Sequence, residues 1–163
     1  MMSKSTRSIA MYFLRKLFAL VATALVFASA SHASATPDDA KALVDKAVAH
    51  VKQVGVEQAF KAFNDPAGPW VKGELYILVY DFQGNNLVLG SNPKMNGKNL
   101  WDIKSPDGKF VVREFVDLVK AKGAGWIDYQ WSNPESKKIE NKTTYVTRVP
   151  GMEAIIGCGI YKN

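Results

Sequence analysis

The chain has 163 residues, 47% of them hydrophobic and 22% charged, with a formal net charge of +6 and a single cysteine. One cysteine, Cys158, excludes an intrachain disulfide scaffold, so the fold must rest on an apolar core, which a chain of this length can build. The positive charge would point to nucleic acid or an anionic membrane only if the folded part carried it.

Most of it does not. Lys4, Arg7, Arg15 and Lys16 precede "LFALVATALVFA" (Leu17 to Ala28), and "ASA" follows at Ala33 to Ala35. A basic region, an apolar run and a small-x-small site are the signature of a secretory signal peptide. The 12-residue run is well short of the roughly 20 residues that span a bilayer. We therefore expect residues 1–35 to be a signal peptide, Thr36 to begin the exported protein, and the product to be periplasmic or secreted and not membrane-spanning after cleavage. Without residues 1–35, Lys+Arg falls from 21 to 17 against 15 Asp+Glu, and +6 becomes +2. The case for nucleic acid as a partner falls with it. The remaining 128 residues, 36–163, are expected to form a single domain.

"TPDDAKALVDKAVAHVKQVG" has the marks of a helix at both ends. Thr36 can cap, Pro37 suits the first turn, Asp38 and Asp39 complement the dipole, and Gly55 terminates. Ala40, Leu43, Val44, Ala47, Val48 and Val51 share one face. "VEQAFKAFN" predicts a short second helix with Phe60 and Phe63 on one side, so residues 36–64 form the N-terminal helices. After "DPAGP" the period changes. "GELYILVYD" alternates Leu75, Ile77 and Val79 against Tyr76, Leu78 and Tyr80, which predicts a strand covered on both faces. "FQGNN" is a turn and "LVLGS" the returning strand of a hairpin. A long aperiodic loop containing Met95, Leu100 and Trp101 leads to a third helix, "KFVVREFVDLVKAKG", and then to strands "GWIDYQWS", "KTTYVTRV" and "MEAIIGCGIY". This order predicts an α+β fold: one five-stranded antiparallel sheet, a long N-terminal helix and a helical crossover between the second and third strands.

Enzymatic chemistry finds little footing. Beyond residue 35 the only histidine is His50, which suits a boundary position on the first helix, and Cys158 suits a small core residue. No Ser-His-Asp set, CxxC, CxxCH or HExxH pattern is present, so neither an enzyme nor a metal or other cofactor is expected. "DFQGNN" lacks the acidic spacing of a calcium loop and reads as a tight turn. The positive signal is aromatic. In "WIDYQW", Ile127, Tyr129 and Trp131 fall on one face and Trp126, Asp128 and Gln130 on the other. Tyr and Trp combine an apolar body with one hydrogen-bonding tip, which suits enclosure of a small polar molecule. Tyr76 and Tyr80 could add hydroxyls, and Lys142 could add a cation for a carboxylate. Residue types alone leave a second reading open, in which these aromatics simply fill a core.

Taken together, "GKNLWDIKSPDGK", "GAGWIDYQWSNP", "KTTY" and the closing "VPG" and "IGCGIY" resemble a single Cache domain of the extracytoplasmic sensor class. The resemblance spans Gly73 to Lys162 and implies a PAS-like core over residues 73–162. It implies a small-molecule ligand, such as a short carboxylate or similar polar metabolite, held between the sheet and the loop-helix segment. It nominates Tyr129, Trp131, Lys142, Tyr145 and Trp101 as ligand-binding residues, beside Tyr76 and Tyr80 from strand geometry. Lys142 and Tyr145 are three apart, so a regular strand points them to opposite faces. Two departures stand out: Asn92-Pro93 where many members have histidine before the proline, and Met152 and Ala154 where many carry tryptophan in the last hairpin. The implied role is an exported sensory binding protein that presents its occupancy to a membrane receptor or sensor kinase, in signal transduction or chemotaxis. The alternative is a structural or interaction module with a filled core.

Overall fold

The structure, a computed structural model, describes residues 34–162. The expected signal peptide lies outside the described residues except for Ser34 and Ala35. Helix α1 (Pro37–Val54) begins where the sequence marks it: the Thr36 hydroxyl accepts from Asp39 N at 3.2 Å, and the Asp39 carboxylate accepts from Thr36 N at 2.9 Å. This reciprocal capping box satisfies donors that the first helical turn leaves unpaired. Gly55, at φ 84°, ends α1 and admits α2 (Val56–Phe63) directly behind it. Ala40, Val44, Ala47 and Val51 are buried, with Leu43 and Val48 packed against the same cluster.

The strand expected as one piece over Gly73–Asp81 is broken. β1 (Val71–Lys72) pairs with β2 (Leu75–Tyr76) as a two-residue ribbon turning at Gly73, and β3 (Leu78–Asp81) continues beyond Ile77. The predicted alternation survives the break. Ile77 and Val79 pack towards α1, while Leu78 and Tyr80 pack towards the opposite face. β4 (Asn86–Leu89) returns through a turn in which the Asp81 carboxylate accepts from the Gln83 and Asn85 amides. Helix α3 (Val111–Lys122) crosses over and is followed by β5 (Ala124–Ser132), β6 (Ile139–Arg148) and β7 (Ala154–Tyr161). β6 starts three residues earlier than the sequence reading because β5 pairs with it along its whole length, from Ala124 opposite Thr147 to Ser132 opposite Ile139.

The five-stranded antiparallel sheet runs in the order β4-β3-β7-β6-β5. The last strand is therefore central, and all eight of its residues are buried. Two apolar layers cover the sheet: α1 and α2 on Ile77, Val79, Ile156 and Cys158, and α3 on Leu78, Tyr80, Tyr129, Val146 and Ile155. Glu74 ties the segment before α1 to the end of β7, accepting from Ala35 N and from Tyr161 N, each at 3.1 Å. Charged acceptors make such bonds stronger than neutral ones. Replacing Glu74 with alanine is expected to cost about 1–3 kcal/mol of stability, read by urea denaturation. A change indistinguishable from zero would show that the clasp contributes nothing.

Candidate functional site

The α3 side of the sheet is not filled. Between it, α3 and the loop after β4 lies a cavity of about 380 Å³. Tyr76, Leu78 and Tyr80 come from β2 and β3, Leu89 from β4, and Tyr129 and Trp131 from β5. Val111, Val112 and Phe115 of α3 face them, Met95, Leu100 and Ile103 come from the loop after β4, and Ser91, Asn92, Ser132, Asn133, Pro134 and Lys137 complete the lining. Tyr129 is held edge-on by two rings, Phe115 at 5.7 Å and Trp131 at 5.9 Å between centroids. Its hydroxyl shares a 2.9 Å hydrogen bond with that of Thr144.

Behind this wall lies Lys142, only 1% exposed. Its Nζ donates to the Tyr76 hydroxyl at 2.8 Å and to the Tyr161 hydroxyl at 3.1 Å, and stands 4.5 and 4.3 Å from the two ring centroids. Tyr161 in turn donates to the Ser132 carbonyl at 2.8 Å. Among the described residues Lys142 forms no ion pair with a carboxylate. A buried ammonium normally carries a counter-charge because desolvation costs several kcal/mol. Among the described residues phenol oxygens and ring faces are its partners, and a third ammonium hydrogen is uncommitted in these contacts.

The sheet makes room for this side chain by leaving another out. Lys142 lies opposite Tyr161 and Thr144 opposite Gly159 in the β6–β7 register. A Cβ on Gly159 would come within 2.6 Å of Lys142 Cε and 2.3 Å of Thr144 Oγ1. Burial pushes the phenols of Tyr80, Tyr129 and Tyr161 up, with the neighbouring Tyr76 adding to the effect. These groups stay protonated near neutral pH and present O–H donors. The site thus combines a buried cation, neutral donors and an apolar wall, an arrangement suited to a small anion.

The sequence-derived candidates divide into three groups. Tyr76, Tyr80, Tyr129 and Trp131 line the cavity, and Lys142 stands one hydrogen bond behind it. Trp101 is outside the lining: its ring lies against the Gly84 backbone and receives the Arg113 guanidinium at 5.6 Å, bracing the loop. Tyr145 is on the other face of the sheet, 5.3 Å from the Trp126 ring and beneath the Lys41 ammonium of α1. The placement of Tyr145 follows from strand period, since three residues from Lys142 on a regular strand reverses direction. Sequence reasoning missed Tyr161, whose hydroxyl meets Lys142, and the Asn133–Lys137 turn, which contributes to the lining. The period-2 run from Gly157 and Gly159 to Tyr161 was the available signal, but only the register shows that it faces Lys142.

Elsewhere, His50 packs against Trp70 at 5.1 Å and Phe63 at 5.9 Å, two rings that themselves meet at 4.6 Å on the α1 side, and burial pushes the Cys158 thiol up to about 12. Among the described residues no group of three His, Cys, Asp or Glu side chains is arranged to hold a metal.

The chain is similar to known proteins in sequence and in fold. The sensor histidine kinase MctS of Rhizobium johnstonii is 34% identical over 86 residues, covering 53% of this chain and 18% of the kinase. The methyl-accepting chemotaxis protein McpP of Pseudomonas putida is 31% identical over 86 residues, covering 53% of this chain and 16% of the chemoreceptor. The chain thus matches under a fifth of either relative. Among solved structures, a Cache chemosensory domain described in terms of carboxylic acid recognition superposes with a TM-score of 0.66 at 27% identity, over 77% of this chain and 92% of that one. A periplasmic sensor domain of a chemotaxis protein gives 0.61 at 27% identity, over 77% and 90%. A methyl-accepting chemotaxis protein from Vibrio parahaemolyticus, at 24% identity and a TM-score of 0.66 over 76% and 86%, shares the fold. The family model for single Cache domain 2 matches residues 18–163, and the chain belongs to that family of sensor domains.

Proposed function

We propose that this chain binds a small organic carboxylate in the cavity and presents its occupancy to a membrane receptor or sensor kinase. The observation that carries the reading is Lys142: a buried ammonium with no carboxylate partner, joined through Tyr76 to the wall of a 380 Å³ cavity. A ligand carboxylate would supply the missing counter-charge, with Tyr80 and Tyr129 as further donors. Tyr76, Tyr80, Tyr129, Trp131 and Lys142 form the proposed site, with Tyr161 behind them. The solved relative associated with carboxylic acid recognition, and the kinase and chemotaxis names of the sequence relatives, support the same direction. So does an extracytoplasmic setting, suggested by the signal-like residues 1–35 and by a relative described as periplasmic. Among the described residues no helix is long and apolar enough to cross a membrane. A shape change on binding would be read by the partner according to the ligand's differential affinity for the two shapes.

The filled-core alternative finds less support, because Tyr129 and Trp131 border open volume. A thermal-denaturation panel of carboxylates, amines and neutral alcohols tests the proposal. A carboxylate at about 100 times its dissociation constant should add roughly 2.7 kcal/mol of stability. Flat melting temperatures for every carboxylate would overturn it.

A further inference from the structure

We infer that the ligand is an amphipathic monoanion, a carboxylate carrying a branched or aromatic body of about four or more carbons, and that it bears no ammonium. The inference rests on the carboxylate reading above and concerns what the rest of the cavity accepts.

The two walls differ in chemistry. Hydroxyl donors lie on the sheet side, at Tyr76, Tyr80 and Tyr129. Across from them α3 and the loop offer hydrocarbon: Leu100, Ile103, Val111, Val112 and Phe115. No polar side chain of α3 lines the cavity. A ligand anchored by a carboxylate at the phenols therefore presents its body to this apolar side. The polar remainder of the lining (Ser91, Asn92, Ser132, Asn133 and Lys137) comes from the end of β5 and the segments that follow β4 and β5.

Size points the same way. Liquid water occupies about 30 Å³ per molecule, so 380 Å³ holds on the order of a dozen waters. Acetate would displace only a few of them and leave the apolar wall wet. Each further buried methylene strengthens binding by about fourfold until the wall is covered. A body the size of an isobutyl or phenyl group matches that surface.

Charge excludes the amino-acid version of such a molecule. No aspartate or glutamate lines the cavity, and the one charged lining residue, Lys137, has the same sign as Lys142. An ammonium carried inside would be stripped of water beside cations, with no anion to receive it.

The experiment is calorimetric titration of the purified protein with four probes: 4-methylpentanoate, acetate, leucine and 3-methylbutylamine. Leucine is 4-methylpentanoate with an added ammonium, and the amine is leucine without its carboxylate. We expect 4-methylpentanoate to bind at least tenfold tighter than acetate and at least tenfold tighter than leucine, with no binding of the amine. Leu100→Phe, which fills the apolar loop side, should weaken 4-methylpentanoate at least tenfold and by a larger factor than it weakens acetate. Ile103→Phe serves if the first variant melts early. Acetate binding as tightly as 4-methylpentanoate, or leucine doing so, would overturn the inference while leaving a carboxylate site in place. Binding of the amine alone would remove both this inference and the carboxylate reading.

Discussion

Lys142→Met is expected to weaken carboxylate binding by about 100-fold while leaving the protein folded. Truncating one partner of a directly hydrogen-bonded buried charge pair costs about 2–5 kcal/mol. Here the ligand carboxylate would meet the ammonium through the Tyr76 hydroxyl, which places the loss in the lower part of that range. Methionine keeps an unbranched apolar stem, one heavy atom shorter than lysine, while removing the charge. Two opposing effects decide the stability of the empty protein. The variant loses charge-assisted bonds to Tyr76 and Tyr161, worth about 1.5–3 kcal/mol each. It also escapes the desolvation of an ammonium that is 1% exposed, a cost of several kcal/mol. These terms nearly cancel, so unfolding free energy should stay within about 2 kcal/mol of the parent. Calorimetric titration and urea denaturation read the two quantities separately. Unchanged affinity in a folded Lys142→Met protein would remove the lysine from the proposed site.

Gly159→Ala carries the largest expected loss of stability. By local preference alone the change should help, because glycine in a strand interior is less favourable than alanine by roughly 0.5–1 kcal/mol. Tertiary contacts reverse the sign. The new Cβ would meet Thr144 Oγ1 at 2.3 Å, Lys142 Cε at 2.6 Å and the Thr143 carbonyl at 2.9 Å. The carbonyl belongs to the backbone of β6, paired on both sides within the sheet, and Thr144 is tied to Tyr129, so neither yields cheaply. Overpacking of this kind costs about 1–3 kcal/mol or more, which for a domain of this size lowers the melting temperature by roughly 5–10 °C. Displacement of Lys142 should weaken carboxylate binding as well. Gly125→Ala is the comparison, since the nearest atoms to its Cβ would be those of the Leu118 side chain, from 3.0 Å; its cost should stay below about 1 kcal/mol. Equal effects at the two glycines would refute the account of Gly159.

The same two residues mark the boundary between what sequence shows and what it hides. Helix α1 is written in its own residues, because a capping box, a proline in the first turn and an i, i+3, i+4 apolar stripe are local signals. The division of β5, with Tyr129 and Trp131 on one face and Trp126 on the other, is equally local, since side chains alternate along any strand. The interruption after Tyr76 was not legible, because alternation continues through it and the break arises from pairing with Val71 and Lys72.

For the site, residue type and strand period were enough to bring Tyr76, Tyr80, Tyr129 and Trp131 to the sheet face that lines the cavity. They could not place Trp101, whose ring is claimed by Gly84 and Arg113, residues distant from it in sequence. Nor could they pair Tyr161 with Lys142, which depends on the last strand entering the middle of the sheet between β3 and β6. Sequence by itself determined the elements and which residues share a face, since both follow from bond geometry over a few residues. Only the tertiary structure decided that Gly159 leaves the space in which an unpaired ammonium lies buried behind the phenols. That outcome depends on the register of strands far apart in the chain, and no local preference encodes it.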